Sequence, residues 1–203
     1  VVFGGTGADT IGGGAGSGLW KSMDAGETWT KLENGVPAGA KGRIGMDIYR
    51  ANPNVLYARI EHATESGIYR TDDAGAIWRK MSDVNPRPMY YSKIYIDPTS
   101  DRRIYVLGAS LFVSDDGGRT FADPVSGRAG ANEVMSPTYD LGVHGDHHAL
   151  WINPNNPKHL ILGNDGGLYY SFDASVTWDK VNNIPLGQFY GISVDMATPY
   201  NVY

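Results

Sequence analysis

The sequence predicts an all-β fold built from repeated four-stranded antiparallel units. A polar turn of one design occurs four times, and the aromatic residues that close the copies are Trp29, Trp78, Phe121 and Trp178. Their spacings of 49, 43 and 57 residues are close to the roughly 40 to 50 residues of a β-propeller blade. The 27 glycines and the lack of a long helical period favour many short strands joined by turns. We therefore predict a β-propeller, present as a partial set of blades from a larger propeller.

The strands follow one order along the chain, because β-branched and aromatic runs alternate with Asn, Asp, Pro and Gly. Each full blade begins with an inner strand and an Asn-Pro or Asp-Pro turn, and ends with two strands joined by the repeated polar turn. We predict a partial blade, three full blades and a second partial blade in a single propeller segment, over residues 1–37, about 42–83, 90–125 and 146–183, and 188–203.

Both ends of the chain are expected to lie within blades. Residues 1–3 resemble the second strand of a blade, whereas residues 192–195 and 201–203 resemble a first and a second strand. Three full blades and two partial ones do not readily close a ring, so a segment of a larger propeller is expected. A small four-bladed closure is the alternative.

The repeated turn places an aspartate two residues before a glycine. Its carboxylate can accept hydrogen bonds from nearby backbone N–H groups, while glycine takes the positive φ that the turn requires. Four copies with different neighbours cannot all be active sites, so we predict a structural role for Asp24, Asp73, Asp116 and Asp173. The fourth copy has Ser175 in place of glycine and should be the weakest. The closing aromatic is expected to pack into its blade.

Residues 22–29 match the pattern Ser-x-Asp-x-Gly-x-Thr-Trp in full. On this motif the chain resembles the BNR, or Asp-box, repeat β-propeller proteins over essentially its whole length. Residues 42–45, 144–148 and 163–167 look most like the sortilin-like and glycosyl-hydrolase-like BNR repeat proteins of bacteria. The resemblance implies an extracytoplasmic location, periplasmic or secreted. The superfamily includes sialidases, xyloglucan-cleaving endoglucanases, receptors and an assembly factor, so it does not imply one function.

The catalytic patterns of this superfamily are incomplete in the sequence. Sialidases use three arginines, and only Arg43 stands at a comparable strand start. Xyloglucan-cleaving members carry an Asp-x-Gly-Gly word with a catalytic aspartate, and Asn164 occupies the matching position here, so Asp165 would have to substitute. Glycosidases need two carboxyls at a defined separation. Asp165 and Asp146 are the candidate acid/base residues.

The loops that lead into the inner strands are expected to form one face around the central channel. Ligand sites favour such concave mouths, where polar groups converge among aromatic side chains. Aligning the inner strands brings polar and aromatic residues into neighbouring columns at this face. The predicted ligand-binding residues are Arg43, Tyr90, Tyr91, His147, His148, Gln188 and Tyr190.

Residues 144–148 carry three histidines and an aspartate, a combination that can bind a divalent metal ion. The spacing matches no standard metal motif, and strand alternation leaves at most two of the histidines for one ion. His144 and His147 are the candidate ligands, and no other cofactor is expected. A polar loop hydrogen-bonded to neighbouring blades is the alternative.

Composition narrows the function classes. Seventeen basic and 22 acidic residues give a net charge of −5 without a basic stripe, so nucleic acid is not an expected partner. Cysteine is absent and no transmembrane run occurs. Because no complete catalytic constellation is visible, we predict a non-catalytic binding or scaffold module, receptor-like or part of a larger extracytoplasmic complex, that binds protein or polysaccharide at the channel face. The alternative is a glycoside hydrolase acting on a β-glucan such as xyloglucan.

Overall fold

The computed structural model describes residues 2–6, 14, 16–123, 128–129, 143–185, 187 and 191–202. The regular secondary structure of these ranges consists of β-strands. No helix in them is long and apolar enough to cross a membrane. The first eight strands are β1 Val2–Thr6, β2 Gly18–Ser22, β3 Thr30–Leu32, β4 Ile44–Ile48, β5 Leu56–Ile60, β6 Gly67–Thr71, β7 Arg79–Ser82 and β8 Ile94–Asp97. The next eight are β9 Ser100–Leu107, β10 Leu111–Ser114, β11 Ala122–Asp123, β12 Arg128–Ala129, β13 His147–Ile152, β14 Leu160–Asn164, β15 Gly167–Ser171 and β16 Asp179–Lys180.

The strands form four sheets, each a meander in which neighbours along the chain pair antiparallel. Strands β1–β3 form the first sheet, β4–β7 the second, β8–β12 the third and β13–β16 the fourth. The predicted all-β fold of antiparallel sheets is therefore confirmed; among the described residues the second and fourth sheets have the predicted four strands, the first has three and the third has five. The exact blade boundaries stay a prediction, and residues 191–202 contribute one bridge, between Val194 and Val202.

The core lies between successive sheets, because alternate side chains of each strand point to opposite faces. In the third sheet, Ile94 and Ile96 pack against the second sheet. Tyr105, Leu107 and other side chains of the opposite face pack against the fourth sheet. Strands that are apolar on both faces thus produce a row of stacked sheets, in which the second and the third sheet are each covered on both faces.

The four repeated turns share one hydrogen-bond pattern. In the third turn, Ser114 Oγ donates to Asp116 Oδ1 at 2.8 Å and accepts from Gly118 N at 2.8 Å. The same carboxylate accepts from Thr120 N at 2.9 Å and from Thr120 Oγ1 at 2.7 Å. Equivalent backbone bonds reach Asp24, Asp73 and Asp173. Each aspartate therefore closes its own turn.

These bonds lower the pKa of the turn aspartates. The hydroxyl and the backbone N–H of Thr28 hold the pKa of Asp24 far below its ordinary value. At Asp116, burial acts to raise the pKa, but the bonds from Thr120 and Ser114 outweigh it and bring the pKa to about 2. A carboxylate with so low a pKa is poorly matched to proton transfer near neutral pH.

The fourth turn differs in its backbone. Ser175 has a φ of 75°, where Gly26, Gly75 and Gly118 have φ values of 104°, 88° and 83°. A side chain costs roughly 1–2 kcal/mol in this left-handed region. The left-handed backbone of Ser175 is a physical reason for the fourth turn to be the least stable of the four, which stays a prediction.

The aromatic residues that close the turns do not pack alike, and the prediction was wrong for Trp29. Trp78 and Phe121 are buried, whereas Trp29 is 42% exposed and its indole N–H donates to Gly26 O at 3.0 Å. Trp78 packs between the first and second sheets. Trp29 belongs to the first sheet, and no sheet precedes it among the described residues.

Candidate functional site

Polar and aromatic side chains converge at one end of the second, third and fourth sheets, where the inner strands begin. Strand β4 and the segment before β8 approach so closely that a Cβ at Gly45 would lie 1.5 Å from Ser92 O. The loop before β8, the loop before β13 with the start of β13, and the β14–β15 turn supply the side chains. They are Arg87, Tyr90, Tyr91, Asp146, His148 and Asp165, and we call them the mouth cluster.

Asp146 is held by a phenol and faces a cation. The Tyr91 hydroxyl donates to Asp146 Oδ1, and Arg87 Nη1 lies 4.0 Å from the same oxygen. The Arg87 guanidinium lies 5.6 Å from the ring centroids of both Tyr90 and Tyr91. Burial raises the pKa of Tyr91, and the bond to Asp146 raises it further. Tyr91 therefore stays a protonated donor at neutral pH.

Asp165 is held by the imidazole of His148, whose ring contacts Tyr91. His148 Nε2 and Asp165 Oδ1 are 2.8 Å apart, and both side chains are about half exposed. The His148 ring centroid lies 5.7 Å from that of Tyr91 and 6.2 Å from that of Tyr90. The charge of Asp165 also contributes to the raised pKa of Tyr91. The two candidate carboxylates are thus linked through the contact between Tyr91 and His148.

The loop before β13 is shaped to present Asp146 and His148. Asp146 has a φ of 58°, a left-handed conformation that Asp tolerates better than most residues. The N–H groups of Asp146 and His147 donate to Ala109 O at 3.1 Å and Gly108 O at 2.9 Å, which fixes the loop to the third sheet. A register shift between His147 and Ala149 makes a bulge, the kind of irregularity that re-aims a side chain.

Asn164 braces the mouth through its side-chain amide. Its Nδ2 donates to His144 O at 2.7 Å, and its Oδ1 accepts from Gly166 N at 2.9 Å. A Cβ at Gly166 would lie 2.3 Å from His144 Cβ, so this close approach requires glycine. The amide at this position joins the β14–β15 turn to the loop before β13, which leaves Asp165 at the tip of the turn.

His147 is fully buried, and burial lowers its pKa to about 4. It lies opposite Asn164 in the strand pairing and does not join the mouth cluster. Within the described ranges no group of three or more His, Cys, Asp or Glu side chains could hold a metal ion. The predicted metal site at His144 and His147 gains no support from this geometry.

Arg43 positions Tyr90 through a backbone contact. Its Nη1 donates to Tyr90 O at 2.7 Å, and its own N–H donates to Glu61 Oε2 at 2.8 Å. Tyr90 is 55% exposed and presents its ring beside the cluster. The other predicted ligand-binding residues, Gln188 and Tyr190, lie outside the described residues.

The sequence analysis did not identify two arginines of this region, Arg59 and Arg87. Arg59 is buried in β5 and donates to Leu107 O at 2.6 Å, to Asn85 Oδ1 and to Pro86 O. Burial lowers its pKa to about 9. It holds the start of the loop that carries Arg87 against the third sheet. The signal in the sequence was a charge inside the apolar run 55–60, since such residues are seldom buried without partners.

Comparison with known proteins places xyloglucan-cleaving enzymes among the relatives, and no protein-family model matches the chain. A xyloglucanase of Paenibacillus sp is 33% identical over 159 residues, which are 72% of this chain and 15% of that protein. An oligoxyloglucan-reducing end-specific xyloglucanase of Emericella nidulans is 27% identical over 173 residues, which are 78% of this chain and 20% of that protein. The chain thus spans a fifth or less of the length of these two relatives.

Solved structures show the same fold. The GH74 xyloglucanase from Xanthomonas campestris is similar with a TM-score of 0.57 at 17% identity, over 87% of this chain and 28% of that one. The GH74 enzyme from Niastella koreensis gives a TM-score of 0.56 at 14% identity, over 82% and 27%. A propeller-type fold is therefore confirmed.

The predicted function needs a correction. The prediction of a non-catalytic binding or scaffold module is wrong, because the similar curated proteins reported above are named xyloglucanases. These similarities favour the alternative, a glycoside hydrolase.

Proposed function

We propose that this chain is a propeller segment of a glycoside hydrolase that acts on a β-glucan such as xyloglucan. One observation carries the proposal: Asp146 bonds Tyr91, Asp165 bonds His148, and the Tyr91 and His148 rings lie 5.7 Å apart at the mouth, so two carboxyl groups belong to one cluster. Glycoside hydrolysis needs two carboxyl groups on either side of a sugar. The names of the similar proteins agree with this chemistry.

The partners of each carboxyl suggest a division of labour. Asp146 accepts a hydrogen bond from the Tyr91 hydroxyl and lies 4.0 Å from the Arg87 guanidinium. We assign it the role of the charged partner, which activates water or attacks the sugar. Asp165, exposed at the turn beside His148, is assigned the acid that protonates the leaving oxygen.

The aromatic groups supply the binding surface in this proposal. Tyr90 is exposed with its ring edge-on to Tyr91, the two centroids 4.9 Å apart. Such a ring can cover the apolar face of a pyranose while polar neighbours bond its hydroxyls. The ligand is thus a neutral polysaccharide. A polymer of this kind is met outside the cytoplasm, and we place the protein there. We also propose that the chain is related to the BNR repeat proteins, because residues 22–29 match their repeated motif.

The test replaces each carboxyl by an amide in the protein that carries this chain. We expect Asp146→Asn and Asp165→Asn to lower the rate of xyloglucan cleavage about 100- to 10,000-fold, the usual contribution of an acid or base. Asp179→Asn, at an exposed aspartate of β16, is the control and should keep full activity. The proposal fails if both site variants retain the parent rate, or if the parent cleaves no β-glucan in a panel.

A further inference from the structure

A groove of about 440 Å³ lies between the second and third sheets, beside the repeated turns. The strand pairing places these turns at the end of the sheets opposite to the mouth cluster, because Thr71 lies level with Ile48, at the far end of β4 from Ile44. The charged side chains that line the groove are Arg70, Asp72, Arg79, Asp101, Arg102 and Arg119. We call it the arginine groove. It has a local excess of positive charge in a chain whose net charge is −5.

The two carboxylates of the groove are already paired with two of its arginines. Arg70 Nη2 pairs with Asp72 Oδ1 at 2.6 Å and with Asp101 Oδ2, and Arg79 Nη2 pairs with Asp72 Oδ2. The other two arginines, Arg102 and Arg119, are exposed and form no ion pair with any described residue. Their guanidinium groups are therefore the ones available to a ligand.

The floor of the groove is held rigidly. Arg70 Nη1 donates to Tyr57 Oη at 2.5 Å and to Asp101 O at 3.0 Å, and the Tyr57 hydroxyl donates to Asp101 O at 2.8 Å. Tyr57 is fully buried in the core between the second and third sheets. Arg70 thus contributes a fixed positive charge across this interface, and a group that is already ordered costs little entropy when a ligand binds.

A glycine keeps the groove open. Gly117 stands in the third turn where the other turns have Ala25, Ala74 and Ala174. These alanines have φ values of 61°, 56° and 61°, so the turn itself accepts a side chain at this position. A Cβ at Gly117 would lie 3.5 Å from Arg70 Nη1 and 3.6 Å from Arg119 Nη1. The missing methyl group therefore leaves space between two guanidinium groups.

The interfaces on either side are closed by a basic side chain at the corresponding place. Lys21 Nζ donates to Ala74 O at 2.8 Å between the first and second sheets. Arg103 Nη2 donates to Ala174 O at 2.8 Å between the third and fourth sheets. Arg70 occupies the position of Lys21, one residue before its turn, but its guanidinium is held by the partners given above. The arginine groove is thus a departure from the two neighbouring interfaces.

We propose that the arginine groove binds an acidic sugar through its oxyanion, a carboxylate or a phosphate carried on a ring of hexose size. Arg102 and Arg119 supply planar donor groups that match either oxyanion. The volume lies in the range of ligand pockets and exceeds what a bare anion needs. The Asp101 carboxylate, 34% exposed, can accept a hydroxyl of the ring. The site is separate from the mouth cluster and is independent of the proposed hydrolase function.

The first test measures binding by isothermal titration calorimetry to the protein that carries this chain. Glucuronate or glucose-6-phosphate should bind with a Kd of about 1 mM or tighter, as expected for a well-matched ligand of this size. Glucose has the same ring without the charge and should bind at least about tenfold more weakly. The tighter of the two acids identifies the oxyanion. Failure of both acids to bind, or binding of inorganic phosphate as tight as that of glucose-6-phosphate, would overturn the proposal.

Charge-removing variants locate the bound acid. Arg102→Gln and Arg119→Gln should each weaken its binding about tenfold, the effect of losing one charge-assisted contact. Lys158→Gln is the matched control, because Lys158 is exposed and occupies the position of Arg102 in the fourth sheet. Gly117 N donates to Arg102 O at 2.8 Å, as Ala174 N donates to Lys158 O at 3.0 Å. Equal weakening in all three variants would show an effect of net charge alone and would contradict the site.

A further variant leaves every charge in place. Gly117→Ala adds one methyl group to the groove, and we expect it to weaken binding of the acid about tenfold. Circular dichroism and thermal unfolding verify the fold, which three sister turns already keep with alanine. A folded Gly117→Ala protein that binds the acid as tightly as the parent would place the ligand elsewhere. If the variant does not fold, the arginine variants and Lys158→Gln decide the question.

Discussion

The repeated turns and the mouth cluster use the same residue type, aspartate, in opposite ways. Asp116 in a turn accepts bonds from two backbone N–H groups and two hydroxyls, all within six residues of it in sequence. Asp146 and Asp165 in the cluster instead meet Tyr91 and His148, side chains from distant parts of the chain. A carboxylate surrounded by local backbone donors is committed to structure. A carboxylate whose partners are side chains from other parts of the chain remains available for chemistry.

The largest difference is expected in stability. Asp116→Ala removes a charged acceptor from several hydrogen bonds, and we expect a loss of about 2–3 kcal/mol in the free energy of unfolding. Asp165→Ala should change it by less than about 0.5 kcal/mol, because its side chain is half exposed and exposed pairs contribute little. Urea unfolding of both variants measures this. Equal losses would erase the distinction between the two regions.

A smaller effect is expected from Tyr91→Phe. The change removes the hydroxyl that donates to Asp146 and keeps the ring that contacts His148. We expect about a tenfold loss of β-glucan cleavage, the value of roughly one hydrogen bond to a charged group. Tyr95→Phe, at a tyrosine of β8 that packs against the core between the third and fourth sheets and is not part of the mouth cluster, is the control. An unchanged rate in Tyr91→Phe would exclude Tyr91 from the catalytic group.

How far the sequence predicts this molecule follows from the range of its interactions. The strand order and the turns come from local patterns, such as Ser114 and Asp116 two residues apart, and the all-β prediction is confirmed. The cluster depends on the alignment of separate sheets, which no local pattern encodes. Asp146, Tyr91 and Asp165 could be named from the sequence as candidates, but their contacts could not. Arg87 was missed because it reaches the site through loop geometry, with a φ of 44°.

A still smaller effect on stability is expected in the fourth turn, compared with the other repeats. Ser175→Gly should stabilise the protein by about 0.5–1 kcal/mol, since glycine relieves the left-handed backbone but loses some chain entropy. The reciprocal Gly118→Ser should destabilise the protein. The backbone of Gly118 has a φ of 83°, and a Cβ added there would lie 3.2 Å from Ile104 Cδ1. Thermal unfolding of both variants gives the comparison. A Ser175→Gly variant no more stable than the parent would show that the fourth turn is not strained.

The smallest expected effect is on how stability depends on pH, which should distinguish the turn aspartates from the mouth cluster. The pKa of Asp116 is about 2 in the folded protein, against an ordinary value of 3.8. A depressed pKa means that the carboxylate stabilises the fold above about pH 4, and that this contribution is lost as the pH falls through 2. Because Asp116 lies near the surface, screening limits the loss to below about 1 kcal/mol. Subtracting the stability of Asp116→Asn at each pH isolates it, and the difference should shrink between pH 4 and 2. A constant difference would mean that the turn does not depend on the charge of its aspartate, and the contrast with the mouth cluster would then rest on position alone.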